Sequence, residues 1–197
     1  MKKKRKRKKS RKNKRMNSIK TPIIVLFILL LILITILILR ANNKESYESL
    51  PYRDLIEKYA KEYDLDPFFI ASVIKVESSF KKDARSSMDR RGLMQITKET
   101  GDWISLKLGE DNFSYERLYE PELNIRYGSF YLRYLLDKYE YWHIAVAAYN
   151  AGMTNVDQWL KNEILNEDLE SANNIPFTET REYVFKIKDA YDNFKRN

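Results

Sequence analysis

Seventeen consecutive residues, Ile23 to Leu39, carry hydrocarbon side chains at every position but Thr35. No other feature limits the chain's options so strongly. As a helix rising about 1.5 Å per residue, the run reaches roughly 26 Å, close to the hydrocarbon thickness of a bilayer. Its sixteen Leu, Ile, Val and Phe residues favour insertion by about 5–10 kcal/mol. The lone Thr35 hydroxyl can bond back to its own helix. The sequence predicts one transmembrane helix over residues 21–40.

Charge placement sets its orientation. The 197 residues hold 36 Lys and Arg against 28 Asp and Glu, a net +8. Thirteen of the basic residues fall within residues 1–20, which carry no acid. The remainder has 23 bases against 28 acids and is mildly acidic. Only Arg40 and Lys44 lie just beyond the apolar run, so the tail is expected to stay in the cytoplasm and the rest to lie outside. The Arg40-Ala41-Asn42-Asn43-Lys44 sequence offers no small-x-small cleavage site, and without cysteine there is no lipoprotein anchor. The tail has no aromatics to stack on bases, so it reads as a topology signal with no nucleic-acid partner. Anionic lipid headgroups and the cytoplasmic membrane, contacted through residues 21–40, are its expected surroundings.

Residues 41–50 read as a polar tether, and residues 51–197 as one globular domain. Leu55, Ile56, Tyr59, Ala60 and Tyr63 form a helical stripe. Asp66 then offers an N-cap before Pro67, opening a second helix through about Ser78. Further helices are expected near residues 97–108, 121–139, 141–151, 153–162 and 179–194. Strand alternation and hairpin signals are nearly absent, so the fold class is all-α.

The absence of cysteine removes disulfides and thiolate chemistry, and a single histidine, His143, removes multi-His metal sites. No carboxylate cluster has metal-loop spacing, so no metal and no cofactor are expected. His143 beside Trp142, with no Gly-x-Ser-x-Gly elbow in the chain, reads as a structural residue. The conspicuous group is Glu77, which continues the apolar stripe of Ile70, Val73 and Ile74. A carboxyl held against hydrocarbon keeps its proton to higher pH, the condition a general acid needs. Spacing alone favours a Glu near a helix end that turns to solvent or pairs with a basic neighbour.

Three segments in order narrow that choice: Glu77-Ser78-Ser79-Phe80, Gly92-Leu93-Met94-Gln95-Ile96 and Ala148-Tyr149-Asn150-Ala151-Gly152. With Pro121-Glu122-Leu123-Asn124-Ile125 and Ile175-Pro176-Phe177-Thr178-Glu179-Thr180-Arg181, the set resembles the family 1 lytic transglycosylases of the Slt type. The resemblance covers about residues 52–195. It implies a lysozyme-like fold and cleavage of the β-1,4 bond between N-acetylmuramic acid and N-acetylglucosamine in peptidoglycan, leaving a 1,6-anhydromuramic end. Glu77 matches the family's single acid/base. Ser86, Gln95, the Ala148 carbonyl, Tyr149 and Tyr183 match substrate-binding positions. Tyr149 is the tyrosine expected to orient the acid, and Tyr183 a second one beside it. Met94 and Asn150 are supporting positions. Glycan strands are the implied partner, and an anchored enzyme of this kind could also meet cell-wall or secretion machinery.

Two departures stand beside the expected groove. Asp89-Arg90 replaces a usual Gly-Ala, and Thr97-Lys98 replaces a usual Met-Pro. The added charges suit anionic peptide stems, and the lost glycine implies a stiffer loop. Two alternatives stay open at this level. A goose-type muramidase would recruit Asp83, Asp89 or Asp102 to position water, and a glycan-binding scaffold would leave Glu77 inert.

Overall fold

A computed structural model describes residues 26–35 and 47–196. The chain divides into two compact units, the first ending at Lys44. In the first unit residues 26–35 are helical, and Leu26 to Ile34 are exposed. Thr35 Oγ1 donates to the Leu31 carbonyl at 2.8 Å, so the hydroxyl is satisfied within its own helix. No helix among the described residues is long and apolar enough to cross a membrane. The ends of the 21–40 segment, the tail at 1–20 and residues 41–46 lie outside the described residues.

The second unit contains helices α1 (Arg53–Glu62), α2 (Pro67–Ser78), α3 (Lys98–Leu108), α4 (Pro121–Tyr139), α5 (Trp142–Ala151), α6 (Met153–Lys161) and α7 (Thr178–Lys195), with short 3₁₀ turns between them. Among the described residues there is no strand. Two isolated bridges, Arg85 with Arg91 and Arg91 with Ile96, pin one loop.

Local chemistry starts the helices where the sequence places them. Asp66 accepts the Phe68 N–H at 2.9 Å ahead of Pro67, while Thr97 accepts the Thr100 N–H at 3.1 Å to open α3. Helix α2 is buried around most of its circumference from Phe69 to Ile74, so it must run through the middle of the domain. It lies along α7, while α5 packs between α4 and α7. The Tyr191 hydroxyl and the Lys195 ammonium of α7 reach the Asp66 carboxylate at 2.7 and 3.1 Å, tying the end of α7 to the start of α2. Tyr47 and Leu50, which the sequence assigns to the tether, are buried, and the Tyr47 ring packs on Phe68 at 4.6 Å. Apolar residues at those two positions had little reason to stay in water.

Candidate active site

Glu77 sits in the last turn of α2. Directly after it Ser79 and Phe80 both take left-handed backbone, with φ of 50° and 62°, which ends the helix and turns the chain aside. Because α7 runs along α2, Tyr183 reaches the carboxyl, and its hydroxyl donates to Glu77 Oε1 at 2.6 Å. Oε2 has no hydrogen-bond partner among the described residues. Burial pushes the Glu77 pKa up to about 7, against smaller opposing effects of the Tyr183 hydrogen bond and the Arg90 charge. Glu179, in the first turn of α7, is the other carboxylate whose charge reaches it and adds to the rise.

A cavity of about 220 Å³ is lined by Arg90, Gln95, Thr100, Tyr131, Tyr149 and Asn150 among others. Glu77 and Tyr183 are not part of its lining, but two lining residues are within electrostatic reach of the acid: the Arg90 charge acts on Glu77, and Glu77 on Tyr149. Gln95 and Ile96 face the cavity from the end of the Gly92–Ile96 segment, which is folded into a tight turn by reciprocal backbone bonds between Arg91 and Ile96, each at 3.0 Å. Gly92, with φ of +78°, lies so close to α4 that an added Cβ would stand 2.2 Å from both the Leu118 carbonyl and the Asn124 amide. Asn124 is fully buried and holds that turn from α4. Its Oδ1 accepts the Met94 N–H at 2.7 Å, and its Nδ2 donates to the Arg91 and Leu118 carbonyls at 2.9 and 2.8 Å. Gln95 is left-handed at φ of 49°, and its amide donates to the Ala84 and Gly92 carbonyls at 3.1 and 2.8 Å.

The three charged residues before Gly92 divide their tasks. Asp89 keeps left-handed backbone, with φ of 55°, where the family resemblance places a glycine, since a short polar side chain tolerates that conformation. Arg91 is buried, its guanidinium 3.8 Å above the Tyr115 ring and paired with Asp89 and Glu116 at 3.2 and 2.7 Å. The Tyr115 hydroxyl also donates to the Asp89 carbonyl. Ser86 closes the loop, its hydroxyl accepting the Arg90 N–H at 3.1 Å and its own N–H donating to the Arg90 carbonyl at 3.0 Å. Arg90 reaches the cavity, where its Nη2 donates to the Asn150 carbonyl at 3.2 Å.

Sequence expectations meet this geometry unevenly. Tyr149 does not hydrogen-bond to the acid. Its hydroxyl donates to the Met94 carbonyl at 2.7 Å, because the Gly92–Ile96 turn lies against its end of α5. The hydroxyl on Glu77 is that of Tyr183, the second tyrosine that the resemblance puts beside the acid. The Ala148 carbonyl accepts the Gly152 N–H at 2.9 Å, and Asn150 Oδ1 accepts the Thr180 hydroxyl at 2.6 Å, joining α5 to α7. Ser86 lies in the loop rather than on the cavity wall. Met94 is fully buried, so close to Gly128 that a Cβ there would stand 2.2 Å from its sulfur. The sequence reading gave Asn124, Arg91 and Tyr131 no site role. An amide between Leu123 and Ile125 on a predicted helix was the available signal for the first. His143 is buried, with Nε2 3.0 Å from the Asn166 carbonyl, and burial holds its pKa below the ordinary value.

The family described as transglycosylase SLT domain matches residues 54–170, which include Glu77, the Gly92–Ile96 turn and α5. This chain belongs to that family. The SLT domain is 34% identical over 151 residues to the soluble lytic murein transglycosylase of Salmonella typhimurium, covering 75% of this chain and 23% of that protein. It is 29% identical over 169 residues to the membrane-bound lytic murein transglycosylase C of Edwardsiella ictaluri, covering 74% and 46%. Among solved structures, an inactive mutant of the lytic transglycosylase Slt of Pseudomonas aeruginosa superimposes with a TM-score of 0.70 at 32% identity, over 75% of this chain and 24% of that one. A 70 kDa soluble lytic transglycosylase solved in complex with bulgecin A gives 0.70 at 28% identity over the same share of this chain and 24% of its own. The SLT domain therefore spans about a quarter of the soluble relatives' length and about half of the membrane-bound one's.

Proposed function

We propose that this protein is a membrane-anchored lytic transglycosylase that cuts peptidoglycan with Glu77 as its single acid and base. The observation carrying this reading is the Glu77–Tyr183 pair, with the charge of the cavity-lining Arg90 acting on the acid. One carboxyl oxygen is held at 2.6 Å by a phenol, the other is unengaged, and burial keeps the proton in place to about pH 7. The names of the relatives supply the substrate class, murein.

In the proposed step Glu77 gives its proton to the glycosidic oxygen as the bond to muramic C1 breaks. Positive charge grows on the ring, and the substrate's own 2-acetamido group can steady it, which lets one carboxyl do what glycosidases commonly divide between two. Glu77, now a carboxylate with its Tyr183 bond charge-assisted, removes the proton from the C6 hydroxyl. O6 then closes on C1, no water is consumed, and the acid is regenerated. The C6 hydroxyl is tethered to the reacting ring, which gives it a high effective concentration over solvent.

The muramidase alternative needs a second carboxylate to hold water. Asp89 is engaged by Arg85 and Arg91, Asp102 by Lys98 at 2.6 Å, and Asp83 is exposed; none of the three is among the charges that act on Glu77. Glu179 is the remaining carboxylate near the acid. The test is digestion of purified peptidoglycan by the full chain in detergent, with mass spectrometry of the fragments. Anhydro ends, about 18 Da below reducing ends, are expected, and Glu77→Gln should abolish them. Reducing ends alone would make it a hydrolase, and an unaffected Glu77→Gln would end the reading.

The proposed organisation is a cytoplasmic basic tail at residues 1–20, a single span at 21–40 and the catalytic domain outside the membrane. The apolar run and the charge asymmetry support it, and the relatives include proteins named membrane-bound.

A further inference from the structure

Arg90 is a cation that the fold does not use up. Among the described residues every other arginine except Arg181 is in an ion pair with a carboxylate. Arg181, on α7, donates instead to the Ile175 carbonyl and the Thr178 hydroxyl. Arg90 makes one side-chain hydrogen bond, from Nη2 to the Asn150 carbonyl, leaving most of the five donors of its fork free. Holding the loop does not require the guanidinium. The Arg90 backbone bonds to Ser86 close the turn, and Arg91 anchors it between Tyr115, Asp89 and Glu116.

The guanidinium is half-buried on the wall of the cavity shared by Gln95, Tyr131, Tyr149 and Asn150. A partly desolvated cation without a counter-ion is costly, and an arriving anion recovers that cost. Glu77 is not that partner: it forms no ion pair with Arg90, and its one hydrogen-bonded oxygen is held by Tyr183. The substrate class proposed above supplies one. Muramic acid bears a lactyl arm that ends in a carboxylate when bare, or in a peptide with its own carboxylates.

We infer that Arg90 is a specificity-determining residue that binds a carboxylate carried on the lactyl arm of muramic acid, through the free edge of its guanidinium. This inference rests on the glycan-cleaving reading, and it commits to a chemistry that reading leaves open. A planar fork favours a two-oxygen anion held by paired N–H bonds, so a lysine should substitute only in part.

The test is binding by the full chain in detergent, carrying Glu77→Gln to stop turnover, with and without Arg90→Gln or Arg90→Lys. Four probes of equal length are compared: stem-free glycan with free lactyl carboxylates, glycan bearing a dipeptide stem with its carboxylates free, the same stem with every carboxylate amidated, and a chitin oligosaccharide. Arg90→Gln is expected to weaken one or both carboxylate-bearing probes by about 10-fold, and Arg90→Lys by less. Neither should shift the amidated or chitin probe. Dependence confined to the first probe assigns the lactyl carboxylate, and dependence confined to the second assigns the stem. Raising salt should erase the Arg90 contribution.

Equal weakening of all four probes, or of none, would overturn the inference, and so would failure of every probe to bind. A parallel digest with the otherwise unmutated chain keeps the readings apart. If wall fragments appear while Arg90→Gln slows all substrates alike and only displaces the pH profile, Arg90 acts on Glu77 and not on substrate. If no fragments appear from the unmutated chain, it is the transglycosylase reading that fails. Unchanged melting of Arg90→Gln, expected from its single side-chain bond, excludes misfolding as the cause.

Discussion

A carboxyl whose pKa rises on folding weakens the fold as pH climbs. Native Glu77 holds its proton to about pH 7 while the unfolded chain releases it near the ordinary 4.5. Between those values the native state binds more protons, so stability falls with rising pH and the loss is complete above about 7. The shift corresponds to on the order of 3 kcal/mol. Glu77→Gln removes the titration, so its stability relative to the unmutated chain should improve by roughly that amount between pH 4 and pH 8. Denaturant melts at the two pH values check this, and a pH-independent difference would contradict the raised pKa. Tyr183 works in the opposite direction, since its hydrogen bond favours the ionised form. Tyr183→Phe should therefore move the alkaline limb of kcat/KM upward by about one pH unit and cost roughly 10- to 100-fold in rate, through poorer orientation of the acid. A pH–rate series on soluble glycan reads both, and a downward move would show that the phenol plays another part.

At the scale of elements, the loop before α3 depends on contacts that the helices lend it. Gly92→Ala forces a Cβ against the Leu118 carbonyl at a left-handed position, and should destabilise the domain by about 2–4 kcal/mol. Asp89→Gly should be nearly neutral. Relief of about 1 kcal/mol of left-handed strain offsets the loss of its pairs with Arg85 and Arg91, of which the first is solvent-exposed. Thermal melts of the two variants should differ by well over 5 °C, and similar values would show that the loop is not seated as described. The helices themselves were legible in the sequence. Asp66 before Pro67, the stripe from Leu55 to Tyr63 and Pro121 each place a boundary to within a residue or two, because caps and periodicity are local. Glu77 was legible as an acid on an apolar face for the same reason. Tyr183 beside it was legible only through the family resemblance, and that Tyr183 and not Tyr149 makes the bond was not, since that depends on how α7 lies along α2, 106 residues away in the chain. Asn124 was likewise hidden: its three partners sit on two other segments, and no spacing rule links them.

For the whole molecule, the proposed anchor and the groove limit each other's reach. Tyr47 is part of the domain, so residues 40–46 are what separates it from the apolar run. Seven residues extend at most about 25 Å. The groove would then work close to the bilayer, on glycan still near its site of synthesis. The anchor's own margin can be tested with the insertion energies. Sixteen apolar residues give about 5–10 kcal/mol, whereas a lysine near the centre costs roughly 2.5–3.5 kcal/mol. One lysine, at Leu31, should leave the chain in the membrane fraction after alkaline extraction. Two, at Leu29 and Leu33, bring the sum near zero and should release it. The doubly substituted chain should still cut soluble glycan at the normal rate, because the SLT domain is a separate compact unit. Its digestion of glycan held at a vesicle surface should fall, since only the anchor concentrates it there. Retention of the double variant in the membrane would mean that something other than residues 21–40 holds the protein.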